Sequence, residues 1–173
     1  MVIFDANFLL LLLDPDVDVP LDPRTKAPLV KPKERIDLLI AVLSKQRETI
    51  GIPTPVIAEV LVGAKDAGPK YLGLITGSSR FLVLPFDLRA AIETAALTAN
   101  ALAAGDKKAG SAAPWQKVKV DRQIVATGVS RNVTTIYSDD SGVLKLAQAT
   151  RVPTISSWEL PLPPEDPQAS FDV

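Results

Sequence analysis

Short apolar segments of strand length alternate with helical segments along most of this 173-residue chain. Such short apolar runs are typical of strands buried on both faces of a sheet. They lie at 2–4, 49–52, 81–84, 133–137 and 152–155. Strands that alternate with helices form parallel sheets covered by helices on both faces. The sequence therefore predicts an α/β fold of three layers, α/β/α, with a mostly parallel, twisted central sheet.

The helices between these strands are predicted from the spacing of apolar residues and from capping residues. Asp87 is placed to cap a long Ala-rich helix that Gly105 would end. Thr54 is placed to cap a helix with Pro55 at its first position. The remaining predictions are helices at 34–44, 70–75, 120–130 and 143–149.

Three segments interrupt this alternation with residues that disfavour regular structure. Segment 14–33 contains five prolines among alternating charges, which predicts an irregular insertion. Segment 105–114 is rich in Gly, Ala and Lys and predicts a connecting segment. The Pro-rich residues 161–173 are predicted to form a loose tail. We therefore expect a single domain over residues 1–160, followed by this tail.

Cysteine and histidine are both absent from the chain. This composition excludes disulfides, zinc sites built from Cys or His, and catalysis by a thiol or an imidazole. It fits the reducing cytoplasm, where we expect the protein to reside. Residues 1–13 are apolar, but they lack the basic start of a secretory signal and fall short of the ~20 residues that cross a bilayer. No membrane association is predicted.

Acidic residues follow the predicted strands at the points where those strands end. Asp5 follows the first strand directly, and Asp139 and Asp140 follow the fourth. The carboxyl ends of parallel strands form a ligand crevice, so these acids are expected to meet there. Glu59 and Asp121 lie near predicted helix starts and can face the same edge. Clustered carboxylates repel each other unless a cation neutralises them, and Mg²⁺ prefers oxygen ligands. Each acid taken alone could instead be a turn or capping residue.

Four segments around these acids resemble the sequence blocks of the PIN-domain family, in the order that the family has them. They are Val2-Ile3-Phe4-Asp5-Ala6-Asn7, 55–61, 121–128 and 135–140, and 152–155 resembles the closing strand. The resemblance covers nearly the whole chain. It implies a PIN-like fold and a divalent-metal-dependent ribonuclease of the VapC type, often the toxin of a toxin–antitoxin pair.

The resemblance also implies roles for particular residues. Asp5, Glu59, Asp121 and Asp140 would be the catalytic acids that bind Mg²⁺ or Mn²⁺. Asp139 fits as an alternative metal ligand beside Asp140, and Asn7 would support the site by hydrogen bonding. The expected partners are an RNA substrate, an antitoxin protein and a second copy of the chain. The apolar stretch 8–13 could serve that homodimer or be buried within the monomer.

Basic residues near the third acidic block are candidates for contact with RNA. Lys117, Lys119 and Arg122 are the predicted contacts, with Lys107, Lys108 and Arg131 as further candidates. Trp115 could stack on a base, although a packing role is the favoured interpretation. With no histidine available, a water whose pKa is lowered by a divalent ion is the expected nucleophile, which predicts products with a 5′-phosphate.

Two other functions compete with this prediction. One is a catalytically inactive PIN-like module that binds RNA or a protein. The other is a Mg²⁺-dependent phosphatase of the haloacid-dehalogenase type, which also has an Asp after its first strand. That phosphatase needs a second Asp two residues later, where this chain has Asn7. The insertions at 14–33 and 105–119 are longer than the family's usual links and weaken the toxin assignment more than the nuclease chemistry.

Overall fold

The computed structural model describes residues 1–164, and its centre is a five-stranded parallel sheet. The strands are β1 (Val2–Phe4), β2 (Ile50–Pro53), β3 (Phe81–Leu84), β4 (Thr135–Tyr137) and β5 (Thr154–Ile155). Their order across the sheet is β3-β2-β1-β4-β5, and each neighbouring pair is parallel. The predicted parallel α/β fold is therefore confirmed.

Helices of the described chain connect and cover these strands. They are α1 (Ala6–Leu13), α2 (Pro32–Lys45), α3 (Thr54–Ala64), α4 (Gly68–Gly77), α5 (Leu88–Ala103), α6 (Trp115–Ser130) and α7 (Ser141–Gln148). Single 3₁₀ turns follow α3 and β5. None of the helices within residues 1–164 is both long and apolar enough to span a membrane.

Alternate residues of β1 face opposite helix layers. Val2 and Phe4 pack in a core cluster with residues of α1, α2, α3 and α4. Ile3 points to the other side, where it packs with residues of α6 and α7. The register continues this alternation across the sheet, since Ile3 pairs with Ile136 and Phe4 with Tyr137. The three predicted layers follow from this two-residue period.

The strand order places a crevice at the carboxyl ends of β1 and β4. From β1 the chain adds β2 and β3 on one side of the sheet, and then returns to add β4 and β5 on the other. Such a reversal leaves an open position where ligands bind in α/β proteins. The N–H of Asp5 donates to the carbonyl of Tyr137 at 3.0 Å, so the two strand ends stay adjacent.

The start of α6 differs from its prediction. The helix begins at Trp115, directly after Pro114, rather than near residue 120. Asp121 therefore lies in the second turn of α6, and the prediction that it lies near a helix start is wrong. The earlier start also places Lys117 one turn before Asp121 on the same face of the helix.

The two predicted caps have different outcomes. Asp87 caps α5 as predicted, because its side chain accepts a hydrogen bond from the N–H of Ala90 at 3.0 Å. Thr54 does not cap α3. It is the first residue of the helix, and its hydroxyl accepts a hydrogen bond from the N–H of Phe86 at 3.1 Å, which ties α3 to the segment after β3.

The irregular segments agree broadly with expectation. Residues 14–31 form neither helix nor strand apart from one isolated bridge between Leu21 and Pro28, and α2 begins at Pro32. Phe8, Leu9 and Leu11 are buried in the core of the monomer, so these side chains of α1 are not a docking surface. Of the predicted tail, 161–164 are irregular and 165–173 lie outside the described residues.

Candidate active site

Ser138 holds Asp5 and Asp140 in a fixed relation at the crevice. Asp5 follows β1 and is only 3% exposed. Its Oδ1 accepts from the N–H of Ala6 at 2.8 Å, and its Oδ2 accepts from the hydroxyl of Ser138 at 2.6 Å. The oxygen of Ser138 in turn accepts from the N–H of Asp140 at 3.0 Å. A hydroxyl that is both donor and acceptor thus connects the two strand ends.

Asp140 is the N-cap of α7. Its Oδ1 accepts from the N–H groups of Gly142 at 2.7 Å and Val143 at 3.2 Å. Its Oδ2 remains free of these amides and lies 2.8 Å from the Nζ of Lys117. Burial raises the pKa of Asp140, but the hydrogen bond and charge of Lys117, with the two amides, outweigh burial and lower it. The carboxylate is therefore ionised at neutral pH.

Asp121 lies on the buried face of α6 and shares the contact with Lys117. It is 1% exposed, and its Oδ1 lies 2.9 Å from the Nζ of Lys117. Its Oδ2 is buried without a hydrogen-bond partner in the described structure. A Cβ atom on Gly142 would lie 2.4 Å from this Oδ2, so only glycine permits α7 to start this close to Asp121.

The fourth predicted acid, Glu59, lies on α3 and is exposed. The pKa of its carboxyl is raised, first by partial burial and then by the charge of Asp5, with smaller contributions from Asp121 and Asp140. Burial raises the pKa of Asp5 to about 6, and the charges of Asp140 and Asp121 add to it. The structure thus brings the four predicted catalytic acids within mutual electrostatic reach.

The two consecutive aspartates after β4 point to different partners. Both oxygens of Asp139 accept hydrogen bonds from Ser157, one from its N–H and one from its hydroxyl, each at 2.7 Å. Asp139 also lines a cleft with Asn7, which is exposed. The geometry therefore groups Asp140 with the acids and ties Asp139 to the segment after β5. The supporting role of Asn7 stays a prediction.

The predicted RNA-contacting residues differ in their exposure to solvent. Arg122 is 1% exposed and donates to the hydroxyl of Thr98 and the carbonyl of Lys107, so its prediction as an RNA contact is wrong. Trp115 lies against the charged groups of Arg122 and Lys107, in agreement with a packing role. Lys119 is exposed, while Lys117 contacts the acids.

The donor set fits a hard divalent cation. Carboxylate oxygens are the ligands that Mg²⁺ and Mn²⁺ prefer, and the unpartnered Oδ2 of Asp121 is a buried acceptor without a donor. Within residues 1–164, however, no three acidic side chains are already arranged to hold an ion. The ammonium of Lys117 lies between Asp121 and Asp140 and bonds both carboxylates.

Sequence reasoning missed three residues of this site. Ser138 lies within the fourth acidic block, where a hydroxyl before an aspartate pair was an available signal. Gly142 stands two residues after Asp140, where a helix start against a buried acid requires a small residue. Lys117 precedes Asp121 by one helical turn, but this spacing is informative only when α6 begins before it.

The sequence matches no family model and no curated protein. Its fold, in contrast, matches chains of solved structures. One belongs to VapBC2 from Rickettsia felis bound to a DNA fragment from its promoter, with 15% identity, a TM-score of 0.59 and coverage of 90% of this chain and 98% of that chain. Another belongs to DNA-bound VapBC from Salmonella typhimurium, with 18% identity, a TM-score of 0.53 and coverage of 90% and 97%. At these identities the likeness concerns the fold alone, and the chain has the PIN-like three-layer α/β fold that the resemblance of its four acidic blocks implied.

Proposed function

We propose that this protein is a divalent-metal-dependent endoribonuclease. The observation that supports the proposal is that Ser138 connects Asp5 with Asp140 and Lys117 connects Asp140 with Asp121 at the crevice between β1 and β4. Glu59 adds a fourth carboxylate, whose pKa is raised in part by the charges of these acids. These four carboxylates would hold Mg²⁺ or Mn²⁺. When bound, such an ion lowers the pKa of water and stabilises charge on phosphate oxygens.

The surroundings of each side chain indicate the role that it would have. Asp5 and Asp140 are fixed by Ser138 and by the amides of α7, which suits them to a rigid ligand position. Glu59 is exposed, and its carboxylate would complete the ligand shell or orient the attacking water. Lys119 would contact a phosphate of the RNA backbone.

The proposal is tested by incubating the purified chain with RNA and, separately, with single-stranded DNA of the same sequence. We expect RNA cleavage with Mn²⁺ or Mg²⁺, none with EDTA, and a loss of at least about 100-fold on Asp5→Asn, the scale of removing one essential charge stabiliser. The new ends should carry a 5′-phosphate and a 3′-hydroxyl. Products with a 2′,3′-cyclic phosphate, or cleavage that survives both EDTA and Asp5→Asn, would reject it.

A second candidate is a catalytically inactive PIN-like binding module. It is favoured by the two salt bridges of Lys117, because they already neutralise part of the acidic cluster without an ion. Calorimetric titration with Mn²⁺ distinguishes the candidates, since the inactive module would bind none. The phosphatase alternative lacks its second aspartate, because Asn7 occupies that position.

An antitoxin partner and a homodimer belong to the same proposal. Both similar structures described above are VapBC complexes, which supports a protein partner for this chain.

Self-association is supported by α5, whose exposed face carries apolar or small side chains in a heptad-like spacing. They are Leu88, Ile92, Ala95, Ala99 and Leu102. In an antiparallel pair centred on Ala95, Leu88 would meet Leu102 of the partner subunit.

A further inference from the structure

Lys117 extends into the acidic cluster from the first turn of α6. Its Nζ lies 2.9 Å from Oδ1 of Asp121 and 2.8 Å from Oδ2 of Asp140. Asp121 belongs to the same helix, one turn later, whereas Asp140 caps the start of α7. One ammonium group therefore joins two carboxylates that come from different elements.

The ammonium and a metal ion would compete for the same oxygen atoms. Oδ1 of Asp140 is committed to the N–H groups of Gly142 and Val143 at the start of α7. Oδ2 of Asp140 is the oxygen without these amide bonds, and it is bonded to Lys117. An ion that binds Asp140 together with Asp121 must therefore take an oxygen that Lys117 holds.

We propose that Lys117 is an internal counter-ion that a divalent cation displaces from Asp121 and Asp140. The inference rests on the proposed metal site and adds how that site is regulated. The side chain is 44% exposed, so its flexible stem can carry the ammonium outward to water when an ion enters. Without an ion, the ammonium limits the mutual repulsion of the acids.

The exchange predicts two opposite effects when the charge of Lys117 is removed. The metal-free protein becomes less stable, because Asp121 and Asp140 lose the cation that separates their charges. The affinity for a divalent ion rises, because a like charge within a few ångströms of the ion is gone. A residue with only a packing role would not raise metal affinity when it is replaced.

The experiment compares Lys117→Met and Lys117→Arg with a control, Lys70→Met. Lys70 is also an exposed lysine, and it lies on α4, a helix that carries none of the four acids. Mn²⁺ affinity is measured by calorimetry and by the signal of free Mn²⁺ in electron paramagnetic resonance, at constant salt. Thermal unfolding is followed in EDTA.

Lys117→Met is expected to bind Mn²⁺ roughly tenfold more tightly than the wild type, the effect of removing one nearby like charge at a partly buried site. Lys117→Arg keeps the charge and should bind Mn²⁺ no more tightly than the wild type. In EDTA, Lys117→Met should melt below Lys70→Met. The Mn²⁺ affinity of Lys70→Met should equal that of the wild type.

Two results would overturn the exchange, and they have different consequences for the proposed function. If the wild type binds Mn²⁺ but Lys117→Met leaves the affinity unchanged or weaker, the exchange fails while the metal site stands. If neither the wild type nor any variant binds Mn²⁺ at millimolar concentrations, both proposals fail. Tighter binding by Lys117→Met supports both.

Discussion

Replacement of Gly142 by alanine tests the geometry of the acidic site most directly. The added Cβ would lie 2.4 Å from Oδ2 of Asp121 and 2.9 Å from Oδ1 of Asp140, both closer than real contacts allow. Asp121 is buried and bonded to Lys117, so its carboxylate cannot move aside freely. The substitution must therefore shift either the Asp121 side chain or the first turn of α7.

Gly73 provides a matched control within a helix. It lies inside α4, and a Cβ atom there would meet nothing within 4 Å. Gly73→Ala should therefore give only the helix-propensity gain, about 0.5–1 kcal/mol. At Gly142 the helix-propensity gain should be similar, but the clash of the added Cβ atom should cost about 1–3 kcal/mol. We expect Gly142→Ala to be less stable than Gly73→Ala by roughly 1–3 kcal/mol.

The assay is thermal unfolding of both variants in EDTA, followed by Mn²⁺ titration of each. For a chain of this size each 1 kcal/mol corresponds to about 2–4 °C in Tm, so the difference is measurable. Displacement of the Asp121 carboxylate should also weaken Mn²⁺ binding by at least about tenfold for Gly142→Ala and leave Gly73→Ala unchanged. If the two variants gain equal stability and bind Mn²⁺ equally well, the close approach of α7 to Asp121 is refuted.

Three further predictions concern pH, the aspartate pair and self-association. The pKa of Asp5 is raised from 3.8 to about 6, so its ionisation destabilises the metal-free fold by up to roughly 3 kcal/mol, a cost that is absent below pH 4 and complete above pH 6. Asp5→Asn should therefore stabilise the protein in EDTA at pH 7.5 more than at pH 4, and an equal effect at both pH values in thermal unfolding would contradict this. Asp140→Asn should weaken Mn²⁺ binding by about tenfold or more, whereas Asp139→Asn should mainly lower Tm, because Asp139 bonds Ser157; the reverse pattern would exchange their roles. Ile92→Glu should reduce the mass measured by light scattering to that of a monomer, because Ile92 is 60% exposed on α5 and a charge there would be buried in the dimer, and an unchanged dimer would exclude the α5 face.

The strands were predictable because each is a short, mostly apolar run between helices, which leaves a local signature. Val2, Ile3 and Phe4 are all buried, although they face different helix layers. The cap at Asp87 was predictable for a similar reason, since a side chain that bonds an amide three residues later is a local interaction. The start of α6 was missed because a Gly/Ala/Lys segment precedes it and Pro114 is its only local signal.

The hydrogen-bond and ion-pair partners of the charged residues could not be predicted from the sequence. Arg122 and Lys119 look alike in sequence as basic residues of one helix, yet the first is buried against Thr98 and the second is exposed. Asp139 and Asp140 are neighbours with the same chemistry, and only the position of Ser157 after β5 distinguishes them. These differences depend on which face of an element meets another element.

The sequence by itself determined the alternation of strands and helices and placed Asp5 and Asp140 at strand ends, because both follow from local patterns of apolar and polar residues. Only the tertiary structure decided that the strand order reverses at β1, that Ser138 connects the two aspartates, and that Lys117 lies between Asp121 and Asp140. The physical reason is the range of the interactions. A hydrogen bond or an ion pair between residues far apart in the chain exists only after packing has brought their elements together, and no local pattern encodes it.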